Sequence, residues 1–309
     1  MQYSNRVIGE LGQQGIARFR LSRATPLVRW RMEIRSRVRE PRRRIILKLI
    51  ELRSYAVDLG YPAGTGLPPL LIFGQGRTGS TVLESLLAST GYFRSRGEML
   101  NTDFRGEALF PLRFVEGERK RSGSQRLLCH MKPKHLTIDR SRPVRDTADF
   151  LSELDRRGWR FLHLSRRNTF EHALSELVAE RRGYFKTDDV EESLQIKVDC
   201  NDLINRMNDM VQQAEVERSM LGAIDRIQVV YEDDILEPSA HQQTIDRILE
   251  KIGLESRPVS TEFRKVNTHP PSELIVNFAE VVERLQHAGF GKFVGADPQR
   301  TNGADGADF

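Results

Sequence analysis

The sequence predicts an α/β domain, with a mainly parallel central sheet layered between helices, and three observations carry that expectation. Residues 70–88, LLIFGQGRTGSTVLESLLA, open with an apolar run short enough for a buried strand, turn through glycines, and continue with Val82, Leu83, Leu86 and Leu87 at helical spacing. Other short apolar runs, within 126–136 and at 159–164 and 226–231, alternate with amphipathic helical stretches, as in strands joined by crossover helices. A length of 309 residues suits one large domain with a sizeable core.

Composition narrows the class. Hydrophobic residues make up 39% and charged residues 29%, and no apolar run approaches the ~20 residues of a membrane span, so a soluble protein is expected. The first residues lack an apolar stretch behind a basic start, and Cys129 and Cys200 have neither metal-ligand spacing nor a disulfide framework. A cytoplasmic location fits. The net charge of +5 is uneven: residues 1–68 hold thirteen Arg and one Lys against five acids, a net +9. The chain therefore divides into a basic, helical N-terminal extension (1–68), a catalytic domain (69–296) and a polar, disordered tail (297–309).

In the extension, arginines from Arg29 to Arg53 interleave with Trp30, Met32, Ile34, Val38, Ile45, Ile46, Leu49 and Leu52. Pro41 is expected to split this stretch into two helices, the second with a usable apolar face over 42–57. One reading is attraction to an anionic membrane surface or an acidic acceptor; the other is a solvated basic face on a helix packed against the domain. Nucleic acid is not an expected partner, because no zinc-finger spacing or RNA-recognition aromatic motif accompanies the charge. Residues 60–69, rich in Gly and Pro, read as a linker.

The loop at 74–81 has the chemistry of an anion cradle. Gly74, Gly76 and Gly79 permit unusual backbone angles, successive amides and the positive end of the helix point inward, Arg77 adds a charge, and Ser80 and Thr81 add hydroxyls. A nucleoside-triphosphatase P-loop, GxxxxGK[ST], is matched at Gly74, Gly79 and Thr81, but Ser80 replaces the lysine. The dinucleotide pattern GxGxxG is matched at Gly74, Gly76 and Gly79, with Glu98 about 20 residues on; that reading, an NADP-dependent oxidoreductase, needs a buried strand before Glu98, and YFRSRG at 92–97 is a poor one. A plain connecting turn is the unadorned alternative.

GxxRTGST before an apolar helix resembles the 5′-phosphosulfate loop of sulfotransferases that use 3′-phosphoadenosine 5′-phosphosulfate (PAPS), in the bacterial and Golgi-type branch. The resemblance implies a P-loop-like three-layer fold over about 70–293 and assigns Gly76, Arg77, Thr78, Gly79, Ser80 and Thr81 to the phosphosulfate. It also implies a role for Glu98: in relatives a glutamate in a "GE" context just beyond the loop helix acts as general base, whereas beside Arg94 and Arg96 it also reads as a surface ion pair. His130 and His135 are the next candidates for the base.

Residues 105–124 read as a polar, irregular insertion where acceptor loops could lie. In RLLCHMKPKHL, 126–136, the resemblance gives Lys132 or Lys134 the task of neutralising charge on the leaving group. Residues 146–157 form a capped amphipathic helix with Phe150, Leu151 and Leu154 on one face, and 159–164 a strand. In the following SRRNTFEHALSEL, Arg167 and Ser175 resemble the pair that grips the 3′-phosphate, with Arg166 as an adjacent competitor. Residues 190–223 read as helical, with Leu194, Val198, Met207, Met210, Val211 and Ala214 facing the core. VVYEDD, 229–234, resembles both a Walker B strand end and the "YEDL" segment of sulfotransferases. The implied reaction moves a sulfuryl group from PAPS to an acceptor hydroxyl or amine on a carbohydrate, lipid, peptide tyrosine or small metabolite; arginine supplies the positive charge, so no metal is called for. A non-catalytic nucleotide-binding protein with the basic arm as its interaction element is the remaining alternative.

Overall fold

A computed structural model describes residues 26–61, 67–144, 146–181, 195–263 and 269–294, apart from the side chains of 26–42 and Arg105. Its strands are β1 Leu70–Phe73, β2 Phe93–Ser95, β3 Arg126–Met131, β4 Arg160–Ser165 and β5 Arg226–Val230, and its helices α1 Pro26–Gly60, α2 Ser80–Ser89, α3 Thr102–Arg105, α4 Pro111–Lys120, α5 Thr147–Arg156, α6 Thr169–Arg181, α7 Cys200–Leu221, α8 His241–Lys251, α9 Pro271–Leu274 and α10 Phe278–His287. The strands form one sheet in the order β2-β3-β1-β4-β5. Every pair is parallel, with Phe73 opposite Met131 on one side and His163 on the other.

Parallel strands need crossovers, and the crossovers cover both faces. Side chains alternate along β1: Leu71 and Phe73 join Phe114 of α4 and Phe150, Leu151 and Leu154 of α5. Leu70 and Ile72 point the other way, onto Leu83, Leu86 and Leu87 of α2 and Ile245 and Ile248 of α8. A third cluster packs α6, α7 and α10 through Phe170, Leu174, Leu203, Met207, Val281 and Leu285. The α/β fold class thus holds, with all strands parallel.

Two expectations change. Pro41 does not split the arm, because α1 runs unbroken from Pro26 to Gly60; a proline removes one backbone donor, and the Arg, Glu, Leu and Ile around it are residues helices accept. Residues 105–124 are not an irregular insertion. Their helix α4 buries Phe114, Val115, Glu116, Glu118 and Arg119, and several of its charged groups find partners elsewhere in the domain: Trp159 Nε1 donates to Glu116 at 2.6 Å, and Lys120 pairs with Asp58 of α1 at 2.8 Å. Within 92–97, read as a poor buried strand, Phe93–Ser95 pairs with Arg126–Leu128 at the sheet edge, where only Phe93 is buried.

That edge position bears on the dinucleotide reading. In the Rossmann order the second strand lies beside the first, whereas here β3 separates β1 from β2. Glu98 therefore follows a strand one place too far from the glycine loop for a ribose-binding acid. Of the expected core positions on α7, Met207 and Met210 are buried but Val211 is 40% exposed. Leu194 and the tail at 297–309 lie outside the described residues.

Candidate active site

Most of the predicted site residues fall within a few positions of a strand's carboxyl end. The loop 74–79 follows β1, Glu98 follows β2, Lys132 follows β3 and Arg166 and Arg167 follow β4. Successive connections from β1 and β3 leave for opposite sides of the sheet, so the loop sits at the switch point where open α/β sheets form a crevice.

The loop's shape is dictated by crowding. A Cβ on Gly74 would lie 2.1 Å from the Leu164 carbonyl oxygen, and Gly79, at φ +91°, would carry one 2.8 Å from the Tyr231 ring. Gly79 then caps α2, whose first-turn amides have no acceptor within the helix. Arg77 also takes a positive φ, 64°, which is strained for a side-chain-bearing residue. Its Nε donates to Ser175 Oγ at 3.2 Å. Burial and the nearby Arg166 charge lower the Arg77 pKa, so an anion bound here would relieve both. Thr78 Oγ1 turns back to the Gln75 carbonyl at 2.8 Å, and Ser80 borders a small cavity under the loop. Thr81 is exposed at the second position of α2.

The second part of the site is a carboxylate wrapped by cations and donors. Lys132 Nζ approaches Glu98 Oε1 to 2.6 Å and also lies 3.6 Å from where a Cβ on Gly76 would be. His130 Nε2 is 2.9 Å from the same oxygen, His135 Nε2 is 3.4 Å from Oε2, and Asn101 donates to Oε2. Burial would raise the Glu98 pKa, but the two histidines and Lys132 outweigh it and hold the carboxyl far below the usual range. His130 also reaches Glu84 at 3.3 Å; although burial opposes its charge, the two carboxylates raise its pKa. His135 is fully buried, and its Nδ1 accepts the Lys132 amide at 3.2 Å. His130 therefore fastens Glu98, and His135 lies buried beside it.

The two arginines after β4 part company. Arg166 is 6% exposed, with Glu171 at 3.0 Å and Glu232 at 3.8 Å; its guanidinium stacks 4.5 Å from the Tyr231 ring centre and donates to the Arg77 carbonyl at 3.3 Å. Arg167 is 53% exposed and paired with Asp233. Ser175 is thus brought to Arg77, while the Arg167 guanidinium is paired with Asp233 instead. Lys134 is solvent-facing beside Asp139.

Three neighbours escaped the sequence reading. Glu84 accepts from Ser95 Oγ and, at 2.8 Å, from the Gly97 amide; a single acid on the apolar face of α2 was its signal. His172 lies 2.6 Å from the Gly76 carbonyl and shares a face of α6 with Ser175. Tyr231 opens a one-turn π-helix, Tyr231–Ile235, directly after β5, so the segment follows the strand and does not form its acidic end. Among the described residues no group of three or more His, Cys, Asp or Glu could hold a metal ion.

No family model and no curated protein matches this chain. Among solved structures, it is similar to a sulfotransferase from Alicyclobacillus acidocaldarius, at 15% identity over 72% of this chain and 96% of that one, with a TM-score of 0.43. It is also similar to the sulfotransferase domain from the curacin biosynthetic pathway, at 13% identity over 68% and 83%, with a TM-score of 0.35.

Proposed function

We propose that the chain transfers a sulfuryl group from PAPS to an acceptor hydroxyl or amine. The observation that carries this reading is the position of Lys132, whose ammonium lies against the glycine loop at Gly76 and 2.6 Å from Glu98. The loop lacks a lysine of its own at Ser80, yet one arrives from the neighbouring strand, beside a carboxylate that a phosphoryl-binding loop alone does not require.

In the proposed reaction the acceptor oxygen or nitrogen bonds to sulfur, the bond from sulfur to the 5′-phosphate oxygen breaks, and adenosine 3′,5′-bisphosphate leaves with the electron pair. The loop amides from Gly76 to Thr81, with Arg77 and the Ser80 hydroxyl, hold the phosphosulfate, and Lys132 offsets the charge that grows on the leaving phosphate. Ser175 holds the 3′-phosphate, joined by Arg167 once its exposed guanidinium leaves Asp233. Glu98 takes the acceptor's proton. Its low pKa makes it a weak base while Lys132 sits on it, and movement of that ammonium toward the donor raises its basicity. Positioning and charge stabilisation supply the rest, as in phosphoryl transfer.

Calorimetry and label transfer test the reading together. Adenosine 3′,5′-bisphosphate is expected to bind at least about tenfold tighter than ATP or NADP, and radiolabelled PAPS to label one class in a panel of carbohydrates, lipids, tyrosine peptides and small metabolites. Tighter binding of ATP or NADP would sink it; bisphosphate binding with no label moved to any acceptor or to water would identify a non-catalytic nucleotide binder.

A further inference from the structure

Helix α1 carries two apolar stripes, and only one of them is used. Its inner stripe docks on the domain: Ile50 and Tyr55 pack against the core, and Ser54 donates to Glu118 at 2.7 Å. On the opposite side Ile45, Leu49, Leu52, Ala56 and Leu59 recur at spacings of four and three, which at ~100° per residue places them along one line. These side chains face outward. Ile45 is 61% exposed, Leu49 and Leu52 60% and Leu59 70%, with Ile46 alongside at 56%.

Arg44 and Arg53 are exposed beside this seam; Lys48 is exposed as well but pairs with Glu51 at 2.6 Å, and Arg43 donates to the Phe104 carbonyl, while the acids of the same stretch turn inward. Glu51 accepts from Tyr55 and from the Leu109 amide, at 2.6 and 2.9 Å, and Asp58 pairs with Lys120. Tyr55 holds the adjoining loop by accepting the Phe110 amide proton on its hydroxyl oxygen at 2.9 Å, and Leu109 and Phe110 of that loop are themselves 51% and 53% exposed.

We propose that this face of α1 lies in the surface of an anionic lipid bilayer, apolar seam inward and arginines at the headgroups. A helix whose described side chains, 43–60, give an apolar line, basic flanks and no acid facing out has the make-up of an interfacial helix, and each cation near such a surface adds attraction. The spacing of four and three also suits a second copy of the helix. In a parallel pair, however, Lys48 of one helix would face Arg53 of the other, and of the two only Lys48 has a carboxylate partner within its own helix, Glu51, so self-pairing sets like charges near one another. The inference is independent of the reaction proposed above.

Co-sedimentation of the full chain with vesicles tests it. Binding to phosphatidylcholine mixed with phosphatidylglycerol is expected to exceed binding to phosphatidylcholine alone by about tenfold or more and to weaken with salt. Leu49→Gln with Leu52→Gln, and separately Arg44→Gln with Arg53→Gln, should each weaken it by about tenfold, without lowering the melting temperature, since these side chains are exposed. A tryptophan placed by Leu49→Trp should shift its emission to the blue only with the anionic vesicles. Absence of anionic-vesicle binding, or binding indifferent to the leucine changes, overturns the proposal. So does a dimer in sedimentation equilibrium that the leucine changes dissolve while vesicles remain unbound, which would make a second copy the occupant.

Discussion

The imidazole Nε2 of His172 lies 2.6 Å from the carbonyl oxygen of Gly76, tying the helix after β4 to the loop after β1. Burial, reinforced by the charges of Arg166 and Arg77, depresses the His172 pKa to about 4, so at neutral pH the ring is neutral and donates its Nε2 proton to that carbonyl. The contact holds the loop by a neutral hydrogen bond and adds no further charge beside two guanidiniums.

A pH signature follows from that depression. Between its folded pKa of about 4 and its ordinary value of 6.5, His172 binds more protons in the unfolded chain, so stability rises with pH across that window. The contribution is complete above 6.5 and lost as pH falls through about 4, amounting to roughly 3 kcal/mol at one pKa unit per 1.36 kcal/mol. His130, with a raised pKa, contributes in the opposite sense: its stabilisation is complete below the ordinary value and declines as pH rises through the folded one. Urea unfolding of His172→Gln and the parent should therefore differ in slope between pH 4 and 6.5, the variant being the flatter. Equal slopes would show that the ring is not held neutral.

The separation of Arg166 from Arg167 sets up a second contrast. Arg167→Ala removes an exposed guanidinium whose partner is the exposed Asp233, so melting should change little. If Arg167 grips the 3′-phosphate, affinity for adenosine 3′,5′-bisphosphate should fall about tenfold, or 1.4 kcal/mol. Arg166→Ala instead leaves Glu171 and Glu232 without their buried partner, and a loss of roughly 3–5 kcal/mol of stability is expected. Normal bisphosphate binding by Arg167→Ala would move the 3′-phosphate grip elsewhere.

How much of this was legible depends on whether a residue's partners are near it in sequence. The strand, loop and helix at 70–88 follow from local spacing, and the cap of α5, where Asp146 accepts the Asp149 amide at 2.9 Å, spans only three positions. The helix α4 was read as a solvent-facing insertion because its charges find their partners far away: Glu116 meets Trp159 across 43 positions and Lys120 meets Asp58 across 62. Glu98 shows both cases. Its "GE" context marked it, but the company of His130, Lys132 and His135 required β3 to lie beside β2, which no local pattern states. The outward seam of α1 was visible as leucines and isoleucines among arginines, yet only docking revealed which stripe remained uncovered.

The pairing of Lys132 with Glu98 supplies the last prediction, which separates proton transfer from leaving-group stabilisation. Glu98→Gln preserves shape and the hydrogen bond to Asn101 while removing the charge that Lys132, His130 and His135 surround. Its turnover should fall about a hundredfold or more with bisphosphate affinity little changed. Lys132→Met should also lower turnover, by a similar order, but it leaves Glu98, still held low by His130 and His135, with one depressing charge fewer and so a stronger base. An acceptor with a more acidic leaving proton should rescue Glu98→Gln more than Lys132→Met, because only the former lacks a proton acceptor. Near-normal turnover of Glu98→Gln in a reaction limited by chemistry would leave the carboxylate as the anchor of Lys132, with the proton passing directly to solvent or to the donor itself.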